Sequence, residues 1–304
     1  MSMKLNVSIG HIQFQNPVTI ASGTFGYISK YAKSADIQKL GAFIPKTITL
    51  AAREGNPSPR IVETASGMIN AIGIENDGLD HFLAHKLPDL AKLKIPLIVS
   101  VSAYQHNDFE TLVTRLSQEE SVSLIELNLS CPNLKHARLI AQDPAATQEV
   151  VAALKKISAK PLIAKLSPNV TDIAAVAFAA QEAGADAVSL VNTFSAMAVD
   201  VHRRRPVLGN VTGGLSGPAI KPIALKMVYD VKKRVTIPII AMGGIMTAED
   251  ALEFLIVGAT MVAVGTANFV DPQTPLRVLQ GIKAYMKQHR VSDIHDIIGS
   301  LRTS

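Results

Sequence analysis

A regular alternation of short apolar runs with helical segments constrains the fold of this chain more than any other feature. Eight runs from residue 17 onward are short, continuous and apolar, as expected of strands with both faces covered: 17–23, 42–47, 96–102, 124–128, 162–166, 187–192, 239–244 and 261–266. Each run is followed by a segment of helical character, at residues 32–40, 79–90, 109–119, 145–157, 171–183, 220–235, 248–257 and 276–287. Eight such units predict an α/β fold, the (β/α)₈ TIM barrel, and a chain of 304 residues suits a single domain over 1–304.

Two segments stand outside this alternation. Residues 5–9 and 12–14 alternate around Gly10-His11, which predicts an amino-terminal β-hairpin that caps one end of the barrel. Residues 50–78 form a long irregular stretch, and because loops of this length in compact domains are usually functional, we expect an ordered active-site loop. The alternative architecture, a doubly wound open sheet, usually needs fewer strands, and the chain has no G-x-G-x-x-G motif.

Composition excludes several classes of protein. The chain has one cysteine, so it cannot form an intramolecular disulfide and shows no sign of secretion. Its start lacks the apolar core of a signal peptide, and no run reaches the roughly 18 uncharged apolar residues of a membrane helix. The net charge of +5 comes without the aromatic-interleaved basic stripe of a nucleic-acid binder. We therefore expect a cytoplasmic protein that binds neither membranes nor nucleic acid.

Two lysines close predicted strands. Lys46 and Lys165 each follow an apolar run, where a charge is costly unless it is paired or solvated. In a parallel barrel the carboxyl ends of the strands build the site, so both ammonium groups are candidates for binding an anion. The alternative is that each side chain reaches water past the rim of the barrel.

Glycine runs after strands are a second signal. Gly243-Gly244 ends the seventh run and Gly265-Thr266 ends the eighth, where barrels commonly bind a phosphate through backbone N–H groups. The run 213–218 precedes another helix and offers more donors of the same kind. Flexible linkers also produce such runs, but three of them at these positions favour a phosphate-bearing ligand.

The only cysteine lies where a strand breaks. The run 124–128 continues into Ser130, Cys131, Pro132 and Asn133, and a strand cannot continue normally through a proline because proline lacks the ladder N–H. A polar cluster with one thiol is therefore delivered to the carboxyl end of a strand. A lone cysteine is by default a small buried side chain, and its position among the other strand ends favours a role in chemistry.

These motifs, in this order, resemble dihydroorotate dehydrogenase. The resemblance rests on ASGTFG at 21–26, KT at 46–47, NAIG at 70–73, NLSCPN at 128–133 and LGNVTGGLSGPAIKP at 208–222. It runs nearly from end to end of the chain. The opening and the VLGNVTGG run resemble class 1B, the catalytic subunit of the two-subunit enzyme.

The resemblance implies an FMN-containing barrel that oxidises (S)-dihydroorotate to orotate in pyrimidine biosynthesis. It implies that Cys131 is the base that removes the C5 proton while the C6 hydride passes to flavin N5. The residues implied to hold the substrate are Lys46, Asn70, Ile72, Gly73, Ile74, Asn128, Asn133, Asn192 and Thr193. Those implied to hold FMN are Ala21, Ser22, Gly23, Lys46, Thr47, Ser100, Asn128, Lys165, Val191, Gly217, Gly243, Gly244, Gly265 and Thr266.

The resemblance also implies a partner. One cysteine cannot supply the four ligands of an ordinary iron–sulfur cluster, so electrons must leave to an acceptor held elsewhere. Class 1B implies a second subunit that carries FAD and a [2Fe-2S] cluster, with NAD as the final acceptor, in a homodimer or heterotetramer. One departure concerns the expected lid, where Lys135-His136 is followed by Ala137-Arg138 instead of the usual glycine pair.

The residues leave alternatives open. A class 1A-like enzyme would pass its electrons to fumarate, and a flavin-binding barrel without activity would serve only as an assembly subunit. A Schiff-base aldolase-type barrel would use Lys165 as its nucleophilic amine. The basic run 202–205 is most simply a solvated loop, with docking of a partner subunit as the alternative.

Overall fold

A curled parallel sheet forms the centre of the molecule. The computed structural model describes residues 3–27, 37–130, 132–133 and 138–303. Its strands in chain order are β1 (Val7–Ile9), β2 (Ile12–Phe14), β3 (Val18–Ile20), β4 (Ile61–Thr64), β5 (Gly67–Asn70), β6 (Ile98–Val101), β7 (Leu124–Asn128), β8 (Pro132–Asn133), β9 (Arg138–Leu139), β10 (Leu162–Lys165), β11 (Ala187–Leu190), β12 (Phe194–Met197), β13 (Val199–Asp200), β14 (Arg205–Pro206), β15 (Thr212–Ser216), β16 (Ile239–Ala241) and β17 (Met261–Val264). Seven of them pair in the order β3-β17-β16-β11-β10-β7-β6, with all neighbours parallel.

Residues 42–48 occupy the eighth position, between β6 and β3. Phe43 bridges to Leu97 and Ile48 bridges to Val101, both in parallel, which joins the segment to the β6 side. On the other side the Gly41 N–H donates to the carbonyl of Val18 at 2.8 Å. Pro45 within the segment has no N–H to donate, which interrupts a continuous ladder. The predicted (β/α)₈ barrel is confirmed, with its second strand reduced to isolated bridges.

Helices cover the outside of the sheet. In chain order they are α1 (Gly78–His81), α2 (Leu87–Leu90), α3 (His106–Ser117), α4 (Pro144–Ile157), α5 (Ile173–Glu182), α6 (Lys221–Lys232), α7 (Ala248–Ile256), α8 (Ala267–Val270) and α9 (Thr274–Gln288). Local sequence sets where they begin: the Asp143 carboxylate accepts from two backbone N–H groups of the first turn of α4, and Thr247 and Asp250 form a capping box at α7. The predicted helix 79–90 is interrupted by a π-helical turn at Phe82–Lys86. Most of the predicted helix 32–40 lies outside the described residues, and its end is a 3₁₀ turn at Ile37–Lys39.

The amino-terminal hairpin lies at the end of the barrel where the strands begin. β1 and β2 pair antiparallel through Val7 and Phe14, whose side chains are buried. Gly10 at the turn packs near Pro161, which directly precedes β10. This confirms the predicted cap and leaves the opposite end of the barrel open for a site.

A second, antiparallel sheet contains part of the long loop. The stretch 50–78, predicted to be irregular, contains the hairpin β4–β5. Its strand β5 pairs with β15, and β15 pairs in turn with β12, in the order β12-β15-β5-β4. Gly213 and Gly214, predicted to offer phosphate donors, lie inside β15 instead. A side chain at Gly214 would overlap the Thr193 hydroxyl, so close packing is the reason for a glycine there. Within the described ranges, no helix is long and apolar enough to cross a bilayer.

Candidate active site

A cavity of about 730 Å³ opens at the carboxyl ends of the barrel strands. It collects residues from distant parts of the chain, because parallel strands bring their carboxyl ends to one edge. The predicted site residues that line it are Ala21, Ser22, Gly23, Lys46, Thr47, Asn70, Ile72, Gly73, Ile74, Asn128, Lys165, Val191, Asn192, Thr193, Gly217, Gly243, Gly244, Gly265 and Thr266.

The remaining predicted site residues are Ser100, Cys131 and Asn133. Ser100 is fully buried behind Thr47. Cys131, the predicted base, lies outside the described residues, and so does the predicted lid sequence at Lys135, His136 and Ala137. The backbone of Asn133 belongs to β8, which pairs with β9.

Lys165 ends β10 at the floor of the cavity, with 6% of its surface exposed. Its ammonium lies 3.6 Å from Oε1 of Glu126, a fully buried residue of β7. The other oxygen of that carboxylate accepts a hydrogen bond from the Ser189 hydroxyl at 2.8 Å. A charge pair therefore explains how a lysine is tolerated at the end of a core strand.

Lys46 brings a second cation into the same cavity. Burial, together with the positive charge of Lys165, lowers the pKa of the Lys46 ammonium to about 8, while Glu75 opposes the shift. Within the described ranges its Nζ makes no ion pair or hydrogen bond. Lys46 is thus a desolvated cation available to an anionic ligand.

A network of amide and hydroxyl groups joins the ends of two strands. Asn192 Nδ2 donates to Oδ1 of Asn128 at 3.3 Å and to Oγ of Ser130 at 2.8 Å, and its Oδ1 accepts from the N–H of Thr193 at 2.8 Å. Both N–H groups of Asn192 are therefore used inside the protein. The Asn128 amide is oriented by the same bonds, and its Nδ2 has no acceptor within the described part of the chain. Asn128 therefore keeps a donor for a ligand.

The loop ends after β16 and β17 carry backbone donors. The N–H groups of Gly243, Gly244, Gly265 and Thr266 bond to no acceptor among the described residues. Gly244 has φ +76, and a Cβ there would lie 2.7 Å from the Lys221 side chain, so only glycine lets the chain pass. The Thr266 hydroxyl donates to Oγ of Ser216 at 2.8 Å. Four free N–H groups at the ends of adjacent strands suit a phosphate.

A chain of three hydroxyls runs from the cavity into the barrel. Ser22 Oγ donates to the carbonyl of Pro45 at 3.0 Å, so the 2.6 Å contact between Ser22 and Thr47 has Thr47 as donor. Ser100 then donates to Thr47 at 3.0 Å. Ser100 therefore supports the cavity wall by orienting Thr47.

One asparagine holds the wall formed by residues 72–78. Asn76 Oδ1 accepts from the N–H groups of Thr49 and Gly78, and its Nδ2 donates to the Thr49 hydroxyl and the carbonyl of Ile74. These bonds hold Ile74 at φ 56, a backbone conformation that is uncommon for a branched residue. The loop is therefore ordered, as predicted.

The structure adds site residues that the sequence analysis left without a role. Glu126 and Ser189 lie beneath Lys165, while Ser130, Tyr27 and Glu75 line the cavity. Burial and the neighbouring Asp77 raise the pKa of the Tyr27 hydroxyl, which therefore stays protonated. The glutamate within the apolar run 124–128 was the one visible signal, since a charge in a core strand requires a partner.

The chain resembles known proteins in its sequence and in its overall structure. A sequence profile for dihydroorotate dehydrogenase matches residues 4–286. The chain is 48% identical over 298 residues to a Geobacter sp. (strain M21) protein named dihydroorotate dehydrogenase B (NAD(+)), catalytic subunit, covering 98% of each. A protein of the same name from Desulforamulus reducens is 48% identical over 301 residues, covering 99% of each. Among solved structures, DHODH from Eimeria tenella in complex with ferulenol matches with a TM-score of 0.78 and 26% identity, over 98% of this chain and 88% of that one.

Proposed function

The chain belongs to the dihydroorotate dehydrogenase family, and we propose that it is the FMN-binding catalytic subunit of a class 1B enzyme. It oxidises (S)-dihydroorotate to orotate in pyrimidine biosynthesis, and its electrons pass through a partner subunit to NAD. The observation that carries this proposal is one cavity that combines unpaired backbone N–H groups suited to a phosphate, two lysines and an oriented cluster of amide side chains.

The donor set fits FMN. The free N–H groups of Gly243, Gly244, Gly265 and Thr266 would hold the phosphate, because unpaired amides at strand ends attract an anion. Lys165 would face the ring system and stabilise the negative charge of the reduced cofactor.

The remaining polar groups suit the substrate. Orotate is a planar anion with amide-like edges, so it needs donors, acceptors and a cation. Asn70 and Asn128 supply amide groups, Lys46 supplies the cation, and the backbone around Gly73 forms one wall. The protein's part in the reaction is to hold dihydroorotate against the cofactor and to remove one proton.

Cys131 removes that proton, which leaves C5 of dihydroorotate. When bound, FMN supplies the acceptor for the hydride from C6. A cysteine base needs a pKa within reach of working pH, and neighbouring cations can lower the pKa of a thiol, whereas a serine would need far more help. Lys46 also holds the negative charge that develops on the ring as the C5 proton leaves.

The electrons leave through a partner. The relatives are named as catalytic subunits of an NAD(+) enzyme, which supports a separate electron-transfer subunit for this chain. We assign FAD and a [2Fe-2S] cluster to that subunit, in a homodimer or heterotetramer.

The aldolase alternative conflicts with the geometry of Lys165. A Schiff-base lysine must be neutral to attack a carbonyl. The Lys165 nitrogen instead forms an ion pair with the buried carboxylate of Glu126, 3.6 Å away, which a neutral amine would not make. Borohydride in the presence of a sugar phosphate should therefore trap nothing on Lys165.

The proposal is tested by purifying the chain alone and with its partner. We expect the purified chain to be yellow and its flavin absorption to bleach when dihydroorotate is added. We expect NAD to be reduced only by the complex of the chain with its partner. Reduction of fumarate by the chain alone would assign it to class 1A. A flavin-loaded chain that dihydroorotate never bleaches would show that it serves only in assembly.

A further inference from the structure

Glu126 is a charge placed in the middle of an apolar core strand. It lies in β7 with 0% of its surface exposed, opposite Ser100 on one neighbouring strand and Ile163 on the other. It does not line the cavity and lies two residues before the strand end at Asn128. Burying a carboxylate costs several kcal/mol unless a partner offsets the loss of water.

The contacts of this carboxylate are unequal. Oε2 accepts from the Ser189 hydroxyl at 2.8 Å, which orients the group. Oε1 makes no hydrogen bond, and the Lys165 ammonium lies 3.6 Å away, close enough for a strong charge interaction in a dry interior. The Lys165 ammonium donates no hydrogen bond to any of the described residues. The pair therefore stabilises the charge of Lys165 without using its donors.

The charges around Lys165 explain why this matters. Lys46 enters the same cavity, where burial first and the charge of Lys165 second lower its pKa, so the two ammonium groups repel. Glu75 offsets part of that effect at Lys46. Among the described residues, Glu126 is the one carboxylate that pairs with Lys165. Without it, two like charges would share the site with no counterion beneath them.

We propose that Glu126 is a positioning residue for the reaction: it keeps Lys165 charged and leaves its N–H groups free for the bound cofactor. It thereby sets how strongly the site stabilises negative charge on the reduced flavin. This inference rests on the proposed function. Glu126 touches neither cofactor nor substrate and acts only through Lys165.

The decisive variant is Glu126→Gln, which keeps the shape and removes the charge. The cavity then holds two lysine ammonium groups with no carboxylate beneath them, and proton binding in the site becomes coupled to the negative charge of the reduced flavin. The pH dependence of the flavin midpoint potential, measured between about pH 6 and 8, should correspond to about one additional proton bound per flavin reduced. An unchanged pH dependence in a folded, flavin-loaded variant overturns the proposal.

Two control variants separate the charge from simple packing. Ser189→Ala removes the hydrogen bond to Oε2 and keeps the charge. Asp186→Asn removes the partner of Lys155, a lysine–carboxylate pair of 2.5 Å at the opposite end of the barrel. Both should keep the wild-type pH dependence, and a matching change in Asp186→Asn would count against a specific role for Glu126. If Glu126→Gln does not fold, Glu126→Met replaces it, because an apolar side chain avoids a buried unsatisfied amide.

A stability cycle tests the pair without any ligand. Lys165→Met leaves the Glu126 carboxylate buried with no cation, so adding Glu126→Gln should raise the melting temperature of that variant while lowering that of the wild type. Additive effects would show that the two residues do not interact and would overturn the inference. A wild-type chain that binds no flavin would instead overturn the proposed function, so the two failures are distinguishable.

Discussion

Lys46 carries a positive charge into a cavity where burial and Lys165 both work against it. Its pKa of about 8 means that the ligand-free site loses this charge within an accessible pH range. An anion bound beside Lys46 raises that pKa again, because the charge then has a partner. Ligand binding and proton binding at this residue are therefore linked.

The linkage has a defined sign. Below pH 8 Lys46 is already protonated, so binding of orotate takes up no proton. Above pH 8 it must gain one, and we expect the affinity for orotate to fall by up to about tenfold per pH unit. Titrations of the flavin-loaded protein across this range measure the effect. Lys46→Arg stays charged and should show a much flatter profile, whereas an equally flat wild-type profile would contradict the assignment.

Cys131 lies outside the described residues, so its role stays a prediction from the sequence. Replacement by alanine removes the only thiol of the chain and should slow flavin reduction by dihydroorotate by orders of magnitude, with FMN still bound. Stopped-flow absorbance measures the rate. Cys131→Ser, whose hydroxyl ionises far less readily than a thiol, should reduce the flavin at a rate between those of the wild type and Cys131→Ala. A wild-type rate in Cys131→Ala would show that another group is the base.

At the scale of elements, the side chain of Asn76 makes four of the hydrogen bonds that hold the loop 72–78. Asn76 is buried and satisfies groups of Thr49, Ile74 and Gly78. Asn76→Ala leaves several of these polar groups without partners, at a cost of roughly 1–3 kcal/mol for a buried group. We expect the loop to loosen and the affinity for orotate to drop about tenfold or more, since 1.4 kcal/mol corresponds to a factor of ten.

FMN binding provides the internal comparison for that variant. The Asn76 side chain makes no hydrogen bond to the glycines that follow β16 and β17, since its partners are Thr49, Ile74 and Gly78. The affinity for FMN should therefore stay near that of the wild type. Asn210→Ala, at an exposed position, serves as a matched control. Equal losses of FMN and orotate affinity would indicate that the whole barrel end is disturbed.

Elements also show where sequence patterns misled. The glycines of β15 resemble those of a phosphate-binding loop in composition. Gly214 is instead explained by its pairing with β5 and by its close packing against Thr193. Nothing in residues 50–78 indicated the hairpin β4–β5, because its remote partner β15 lies more than a hundred residues later in the chain. Local composition cannot distinguish a free amide from one that a remote strand will pair.

For the whole molecule, the barrel closes between β3 and residues 42–48, a segment that pairs through isolated bridges instead of a continuous ladder. The Gly41 N–H bonds to Val18, and a Cβ on Gly41 would lie 2.0 Å from the carbonyl oxygen of Asn16. Gly41→Ala should therefore strain the closure of the barrel and lower the free energy of unfolding by about 1–3 kcal/mol. Thermal or denaturant unfolding measures this loss.

Gly299→Ala is the control for that experiment. It adds the strain of φ +74 but meets no atom within 4 Å, so only about 1 kcal/mol should be lost. If the two variants are equally stable, the closure between β3 and residues 42–48 is not a critical point of the barrel. The single domain over 1–304 and the cytoplasmic location stay predictions from the sequence.

The sequence by itself determined the number and order of the barrel units, the strand ends that carry polar residues, and the family. These features can be predicted because strands buried on both faces require apolar runs, and because parallel strands bring their carboxyl ends to one edge of the sheet. Only the tertiary structure decided which groups are already used. Asn192 has both N–H groups bonded within the protein, Asn128 keeps a free one, and Glu126 lies beneath Lys165. Such assignments depend on distances between strands far apart in the chain, which no local pattern encodes.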